Sequence, residues 1–375
     1  MHESPAISVI IPLYNLRDFV GEAIESVLAQ TLEPTAMEIL VIDDGSTDGG
    51  GEIVARYAPL VRCLRQANRG LSAARNAGIR ESRAPFLTFL DADDRILPEK
   101  LALQLEAFRA QPELGAVYCG WHCIDATGAR LPQRGRSVHA GNLFPDLVLG
   151  NLMHPHTVVV RRPLVEVAGG FDETLTSVED WDLWLRLARA GVRWHCIDRP
   201  LAEYRIRPGA MHQNPRRMLD NRLRVLAKIF DGGGDLPPPV ASRRGRAFQN
   251  AHLTAACDFL RAGERAEAVR ALRAAALARP DVLGEPSSLR RMCRLVLPEG
   301  YQRDAAVVAN WRPLTRILRS TLADLFADSD LDPGLRRLRR RAALAYWRTV
   351  LRLARKGLAA DLWGDRAERL PISRD

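Results

Sequence analysis

Pro85-Phe86-Leu87-Thr88-Phe89-Leu90-Asp91-Ala92-Asp93-Asp94 runs from strand-forming residues straight into three carboxylates. The length and the aromatic and β-branched content of 85–90 suit a buried parallel strand, and in open α/β sheets ligands gather at the carboxyl ends of such strands. Like charges this close repel one another unless a cation sits among them. Hard oxygen donors suit Mg²⁺ or Mn²⁺, commonly shared with a substrate phosphate. The run therefore predicts a cleft at the end of a strand, with Asp91, Asp93 and Asp94 in it.

Upstream, the pattern predicts strands over 7–12, 38–43 and 61–64, alternating with helices over 19–30, around 53–57 and through Leu71-Ser72-Ala73-Ala74-Arg75-Asn76-Ala77-Gly78. Asp43-Asp44-Gly45-Ser46-Thr47-Asp48, at the end of the second strand, is a cluster of turn formers and helix caps. Strand and helix in alternation mean a mostly parallel α/β sheet with right-handed crossovers. Downstream, a helix is expected over 98–111, strands over 116–119 and 157–160, and an exposed loop or hairpin over 125–141. Ser177-Val178-Glu179-Asp180 opens a helix whose Trp181, Trp184, Leu185 and Ala188 recur at helical spacing, with acidic residues in the first turn, where the helix N-terminus favours them.

A chain of 375 residues exceeds one ordinary core. Residues 1–230 carry 27 Lys and Arg against 28 Asp and Glu, net −1, whereas residues 231–375 carry 27 against 17, net +10. Between them, 231–240 holds Gly232-Gly233-Gly234 and Pro237-Pro238-Pro239, a linker by composition. The expected organisation is an α/β domain over 1–230, this linker, and a basic helical region over 241–375. In the last part, 247–260 and 266–278 make a helical hairpin about Gly263 that resembles one tetratricopeptide unit, without a second copy at a fixed period. An amphipathic helix over 341–358 sets Arg341, Arg348, Arg352 and Arg355 on one face. Packing on its own domain accounts for that pattern, and so does peripheral contact with an anionic membrane surface.

The six cysteines are scattered, and no cationic segment followed by an apolar one opens the sequence, which predicts a reduced, cytoplasmic location. Nothing approaches the ~18–20 apolar residues of a spanning helix, so any membrane contact is expected to be peripheral, at the inner face. His154-Pro155-His156, and Cys119 with His122 and Cys123, lack the paired spacing of a structural zinc site. The two histidines are read as lining the acceptor side of the cleft or capping a strand. Pro12-Leu13-Tyr14-Asn15 stands where a dinucleotide fold needs its glycine-rich turn, which excludes that class.

Five segments in order, Ser8-Val9-Ile10-Ile11-Pro12-Leu13-Tyr14-Asn15, Val41-Ile42-Asp43-Asp44-Gly45-Ser46, Gly70-Leu71-Ser72-Ala73-Ala74-Arg75-Asn76, Leu90-Asp91-Ala92-Asp93-Asp94 and Glu179-Asp180-Trp181-Asp182, resemble the family 2 glycosyltransferases of the GT-A fold. The resemblance covers about residues 7–207. It implies an inverting transfer of a sugar from a nucleotide diphosphate donor, for instance a UDP-sugar, to a hydroxyl of a glycan or lipid-linked acceptor. Pro12 and Tyr14 would contact the nucleotide, Asp44 its base, and Arg75 the base or phosphate. Asp93 and Asp94 would hold Mn²⁺ or Mg²⁺, with Asp93 closest, and Asp91 would reach the ribose or the metal's waters. Asp180 would be the general base, with Glu179 orienting it or touching the acceptor.

The chain departs from the family pattern in one place. Where Tyr-Arg-x-His is usual, it has Tyr204-Arg205-Ile206-Arg207, with His212 five residues on. Arg207 can neutralise a diphosphate but cannot ligate a metal. A polyprenyl-phosphate sugar synthase and a non-catalytic glycan- or nucleotide-binding scaffold remain as alternatives. No nucleic acid is expected as a partner.

Overall fold

The computed structural model describes residues 4–135, 139–279, 286–297 and 310–327, together with 307, 339, 341–346 and 348–350. The chain divides into two compact units, Met1–Arg207 and Pro208–Asp375.

The first unit is built on β1 (Ile7–Leu13), all seven residues of which are buried. It pairs in parallel with β2 (Met37–Asp43) on one side and with β4 (Phe86–Phe89) on the other, and β3 (Val61–Arg65) extends the sheet beyond β2. Helices α1 (Arg17–Leu28), α2 (Gly50–Ala55) and α3 (Leu71–Glu81) make the connections. α3 approaches the sheet closely because it has a glycine at the contact: a Cβ on Gly78 would lie 2.3 Å from Ile10 Cγ2. All four parallel strands end on one edge, which gathers Tyr14, Asp44 and Asp91.

After Asp94 come β5 (Arg95–Ile96), α4 (Lys100–Ala110), β6 (Ala116–Ile124), β7 (Arg130–Gly135), α5 (Phe144–Leu147), β8 (Val158–Arg161), α6 (Arg162–Val167), α7 (Glu179–Arg189) and β9 (Trp194–Arg205). Among the described residues the nine strands form one sheet, ordered β3-β2-β1-β4-β8-β6-β9-β5, with β7 paired to β6. The expected α/β sheet is therefore present, parallel from β3 to β4 and mixed beyond. β8 runs antiparallel to β4 and to β6. β9, a twelve-residue strand that periodicity does not predict, runs parallel to β6, and its end pairs with β5 through Arg95↔Glu203. That last pairing returns the chain to the acidic run.

The second unit is helical among its described residues: α8 (Pro215–Phe230), α9 (Pro238–Ala241), α10 (Arg244–Arg261), α11 (Arg265–Ala278), α12 (Pro286–Val296) and α13 (Trp311–Leu325). The Gly/Pro run lies inside this unit, and its prolines open α9. α10 and α11 form the expected hairpin, with Gly263 at φ 76° making the turn. Phe259, Leu272, Leu289, Leu314, Leu318 and Leu325 share one core. In the predicted helix over 341–358, Ala342, Ala345 and Thr349 are buried and Tyr346 packs on that core, while Trp347 and residues 351–358 lie outside the described residues.

Candidate functional site

β1 and β2 end side by side, and their loops are tied together. Asn15 accepts a hydrogen bond from the Thr47 amide (2.8 Å), and its own amide donates to Ser46 Oγ. Pro12 is buried beneath this junction, while Tyr14 stands exposed at its rim. Asp44 fastens the following loop: Oδ1 accepts from Gln66 Nε2 (2.7 Å) and the Arg69 amide (2.9 Å), and Oδ2 from the Gly70 amide (2.8 Å). Gly70 takes φ 91°, which an L side chain rarely adopts, and the chain then enters α3.

Within α3, two neighbouring side chains organise the middle of the site. Asn76 clamps the Gly169-Gly170-Phe171 turn, exchanging hydrogen bonds with the Phe171 amide (2.8 Å) and carbonyl (2.9 Å). Arg75, 1% exposed, lies over the Phe171 ring with one terminal nitrogen 2.5 Å from Asp91 Oδ1 and the other 2.5 Å from Glu179 Oε1. The family resemblance implies a base or phosphate contact for this guanidinium; in the structure it lies between two carboxylates, and against the lowering effect of burial their charges raise its pKa.

The acidic run does not act as one cluster. Asp94 is buried; its Oδ1 accepts the Arg205 amide (2.7 Å), and its Oδ2 lies 2.8 Å from His156 Nδ1. Asp93 turns the other way, taking Arg207 Nε on Oδ2 at 2.6 Å. Its backbone carbonyl accepts Arg205 Nε (2.6 Å), and Arg205 also holds Glu22 (2.7 Å) and stacks over Phe19. Burial, then the neighbouring carboxylates, push Asp93 up to about 6, and burial and Asp91 raise Asp94 well above the ordinary range.

Among the described residues, the group placed to hold a metal is Asp91, Asp94 and His156, with one ligand atom from each within 4.8 Å of the others. His156 is wholly buried; its Nδ1 faces Asp94 Oδ2 at 2.8 Å without the alignment of a hydrogen bond, its Nε2 has no hydrogen-bond partner, and burial lowers it to about 4, so the imidazole is neutral. A buried carboxylate held back from ionising, that of Asp94, beside a neutral imidazole with no partner on Nε2 fits a divalent cation, which would relieve both deficits. The sequence marks His156 only as a residue of the acceptor side or a strand cap; its place beside Asp91 and Asp94 depends on β8. That strand pairs Leu87↔Val160 and Phe86↔Arg161 antiparallel to β4, and the 3-10 turn Pro155–Thr157 that leads into it carries His156 to Asp94. The side chain of His212 lies outside the described residues.

α7 supplies the facing pair. Val178, at φ 55°, turns the chain so that Glu179 and Asp180 open the helix, both buried. Asp180 Oδ1 accepts the Trp181 amide (2.7 Å), and Oδ2 accepts Asn151 Nδ2 (2.8 Å). Burial, then Glu179, push Asp180 up to about 7 against the lowering pull of Arg75 and Asn151. Trp181 and Trp184 are both core residues, the first donating through Nε1 to the Leu147 carbonyl. The arrangement can hold a cation at the end of β4 and take a proton at Asp180.

Residues 8–167 match the family model described as Glycosyl transferase family 2. Glycosyltransferase RP339 of Rickettsia prowazekii (strain Madrid E), itself uncharacterized, is 34% identical over 191 residues, which are 50% of this chain and 59% of that protein. The chain thus spans about three fifths of the curated relatives it matches first. Of solved structures, S. aureus TarS 1-349 in complex with UDP-GlcNAc aligns at a TM-score of 0.57 and 19% identity, over 88% of this chain and 95% of that one. Mannosyltransferase PcManGT from Pyrobaculum calidifontis, in complex with GDP-Man and Mn²⁺, aligns at 0.53 and 20% identity, over 95% and 87%. At such identities the likeness establishes the fold. Over 8–167 of its first unit the chain is thus similar to the family 2 glycosyltransferases, and its fold is GT-A-like.

Proposed function

We propose that the first unit transfers a sugar from a nucleotide diphosphate donor to a hydroxyl of a glycan or lipid-linked acceptor, with inversion at the anomeric carbon. The observation that carries this reading is the single guanidinium, that of Arg75, joining Asp91 of the cation-ready group to Glu179, the neighbour of Asp180. TarS and PcManGT, with UDP-GlcNAc and GDP-Man respectively, support a nucleotide-sugar donor. Pro12, Tyr14 and Asp44, at the ends of β1 and β2, are read as the nucleotide side.

Asp180, ionised, accepts the acceptor hydroxyl's proton as that oxygen forms its bond to the anomeric carbon. The bond from that carbon to the diphosphate oxygen breaks on the opposite face, and the nucleoside diphosphate leaves with the electron pair. Asp91, Asp94 and His156 would hold a divalent cation, whose charge would offset that of the leaving diphosphate. Glu179 and Asn151 orient the base, and the buried surroundings strengthen each of these interactions. The second unit, with the chain's basic excess, is read as holding the first near an anionic surface or an acceptor-bearing partner. Sedimentation of the full chain with anionic vesicles checks that part, and failure to co-sediment removes the membrane reading.

Calorimetric titration with a panel of nucleoside diphosphates identifies the donor class. NMR of the product formed from the corresponding nucleotide sugar reports the anomeric configuration. Binding of one nucleotide and an inverted product are expected. Folded protein that binds none of them overturns the reading.

A further inference from the structure

The donor reading leaves the Arg207–Asp93 pair without a role. Asp93 is the carboxylate that an acidic run would be expected to lend to a metal, yet Oδ2 is held by Arg207 Nε at 2.6 Å, and it is not one of the three residues positioned to ligate together. The pair is braced from below. Arg205, buried, fixes the Asp93 carbonyl, and the Arg207 guanidinium lies over the same Phe19 ring that Arg205 covers, at 5.5 Å from its centroid. Around the acidic run, Asp91, Asp93, Asp94 and Glu179 face Arg75, Arg205 and Arg207. Arg75 and Arg205 are almost wholly buried, whereas the Arg207 and Asp93 side chains keep 18% and 16% of their surface open. An anion arriving at the end of β4 therefore meets Arg207 as the accessible guanidinium of this set. A guanidinium is permanently charged and matches phosphate oxygens in a planar fork.

Building on the nucleotide-sugar reading, we infer that Arg207 is a resident cation for the donor's diphosphate, positioned by Asp93, so that nucleoside diphosphate binds this protein even without a divalent metal. Asp93 is then a positioning residue for Arg207, and the metal set is Asp91, Asp94 and His156. The chain carries two sources of positive charge at one site, one covalent and one exchangeable.

The test is calorimetric titration of the full chain with UDP and GDP, in EDTA and in Mn²⁺, alongside Mn²⁺ titration of the nucleotide-free protein followed by the EPR signal of the free ion. In EDTA the unaltered protein is expected to keep its nucleotide affinity to within about tenfold of the Mn²⁺ value. Arg207→Met is expected to lose about tenfold or more in EDTA, an amount on the scale of one charge-assisted contact, and to be largely restored by Mn²⁺. Arg207→Lys, which keeps the charge and loses the fork, should fall between the two, and thermal melting of all variants separates loss of binding from loss of fold. Mn²⁺ binding by nucleotide-free protein should survive Asp93→Asn and disappear in His156→Ala.

Binding that requires Mn²⁺ in the unaltered protein overturns the inference while leaving the donor reading intact. So does an Arg207→Met variant indistinguishable in EDTA, and so does loss of Mn²⁺ binding in Asp93→Asn. No binding of either nucleotide under any condition, or of the other nucleoside diphosphates of the panel, removes the inference and the donor reading together.

Discussion

Asp91 and Glu179, 88 positions apart in sequence, sit at equal distances of 2.5 Å from the two terminal nitrogens of one buried guanidinium, that of Arg75. One comes from the end of a central strand and the other from the first turn of α7. Removing the arginine would leave both carboxylates near each other without their shared counter-charge. Arg75→Met is expected to destabilise the protein by about 3–5 kcal/mol, the range for breaking a buried ion pair from one side. Urea denaturation measures it. A double variant, Arg75→Met with Glu179→Gln, should recover part of the loss, because one unpaired charge goes with it.

The proton-accepting reading of Asp180 predicts a rate that falls on acidification. With the carboxyl pushed up to about 7, the acidic limb of kcat/KM against pH should lie near neutrality. Asn151→Ala withdraws a hydrogen bond from the ionised form and should move that limb to higher pH. Glu179→Gln removes a neighbouring negative charge and should move it to lower pH. Identical limbs in all three proteins would contradict the assignment.

Glu38 links the first strands to the end of α3. Oε2 accepts Ser8 Oγ (2.7 Å) and the Arg83 amide (2.9 Å), and Oε1 accepts Arg62 Nη1 (2.9 Å) and Arg83 Nε (2.8 Å). Burial raises its pKa, but the hydrogen bonds from Ser8 and Arg83 and the charge of Arg83 outweigh that, so the net shift is downward. A depressed carboxylate contributes stability above its unfolded pKa and loses it as pH falls through the folded one. Glu38→Gln should therefore cost about 1–3 kcal/mol near neutral pH. Its stability should also decline less steeply on acidification below the ordinary glutamate range, which equilibrium denaturation across pH checks.

Gly78→Ala tests the closeness of α3 to the sheet. Alanine is the better helix former, yet its Cβ would fall 2.3 Å from Ile10 Cγ2. Overpacking by one carbon commonly costs about 1–3 kcal/mol, more than the ~1 kcal/mol gained in helix propensity. A lower melting temperature is expected, with partial recovery when Ile10→Ala is added.

Much of this was legible from the chain alone. The parallel strands announce themselves as apolar runs, and Asp44, Asp91 and Asp94 mark strand ends because carboxylates have no place in the runs themselves. Asp180 was legible as part of an acidic first turn. What could not be read depends on pairings far apart in sequence. The partners of Arg75 lie 16 and 104 residues away. β9 contains Asp198, Arg199 and Pro200, and its outer half is only partly buried, so neither alternation nor a continuous apolar run marks it as a strand. The arginine at 207 was visible as a departure from the family pattern, but that Asp93 holds it was not.

The antiparallel course of β8 has a consequence for anyone wishing to re-engineer the protein. From Val158 to Arg161 the chain is held in a fixed frame, by β6 at Val158, Val159 and Val160 and by β4 at Val160 and Arg161. A single residue inserted or deleted between His156 and Val158 would leave that frame in place and displace the 3-10 turn Pro155–Thr157, taking the imidazole away from Asp94. The short turn and the strand behind it therefore tolerate substitution far better than any change in length.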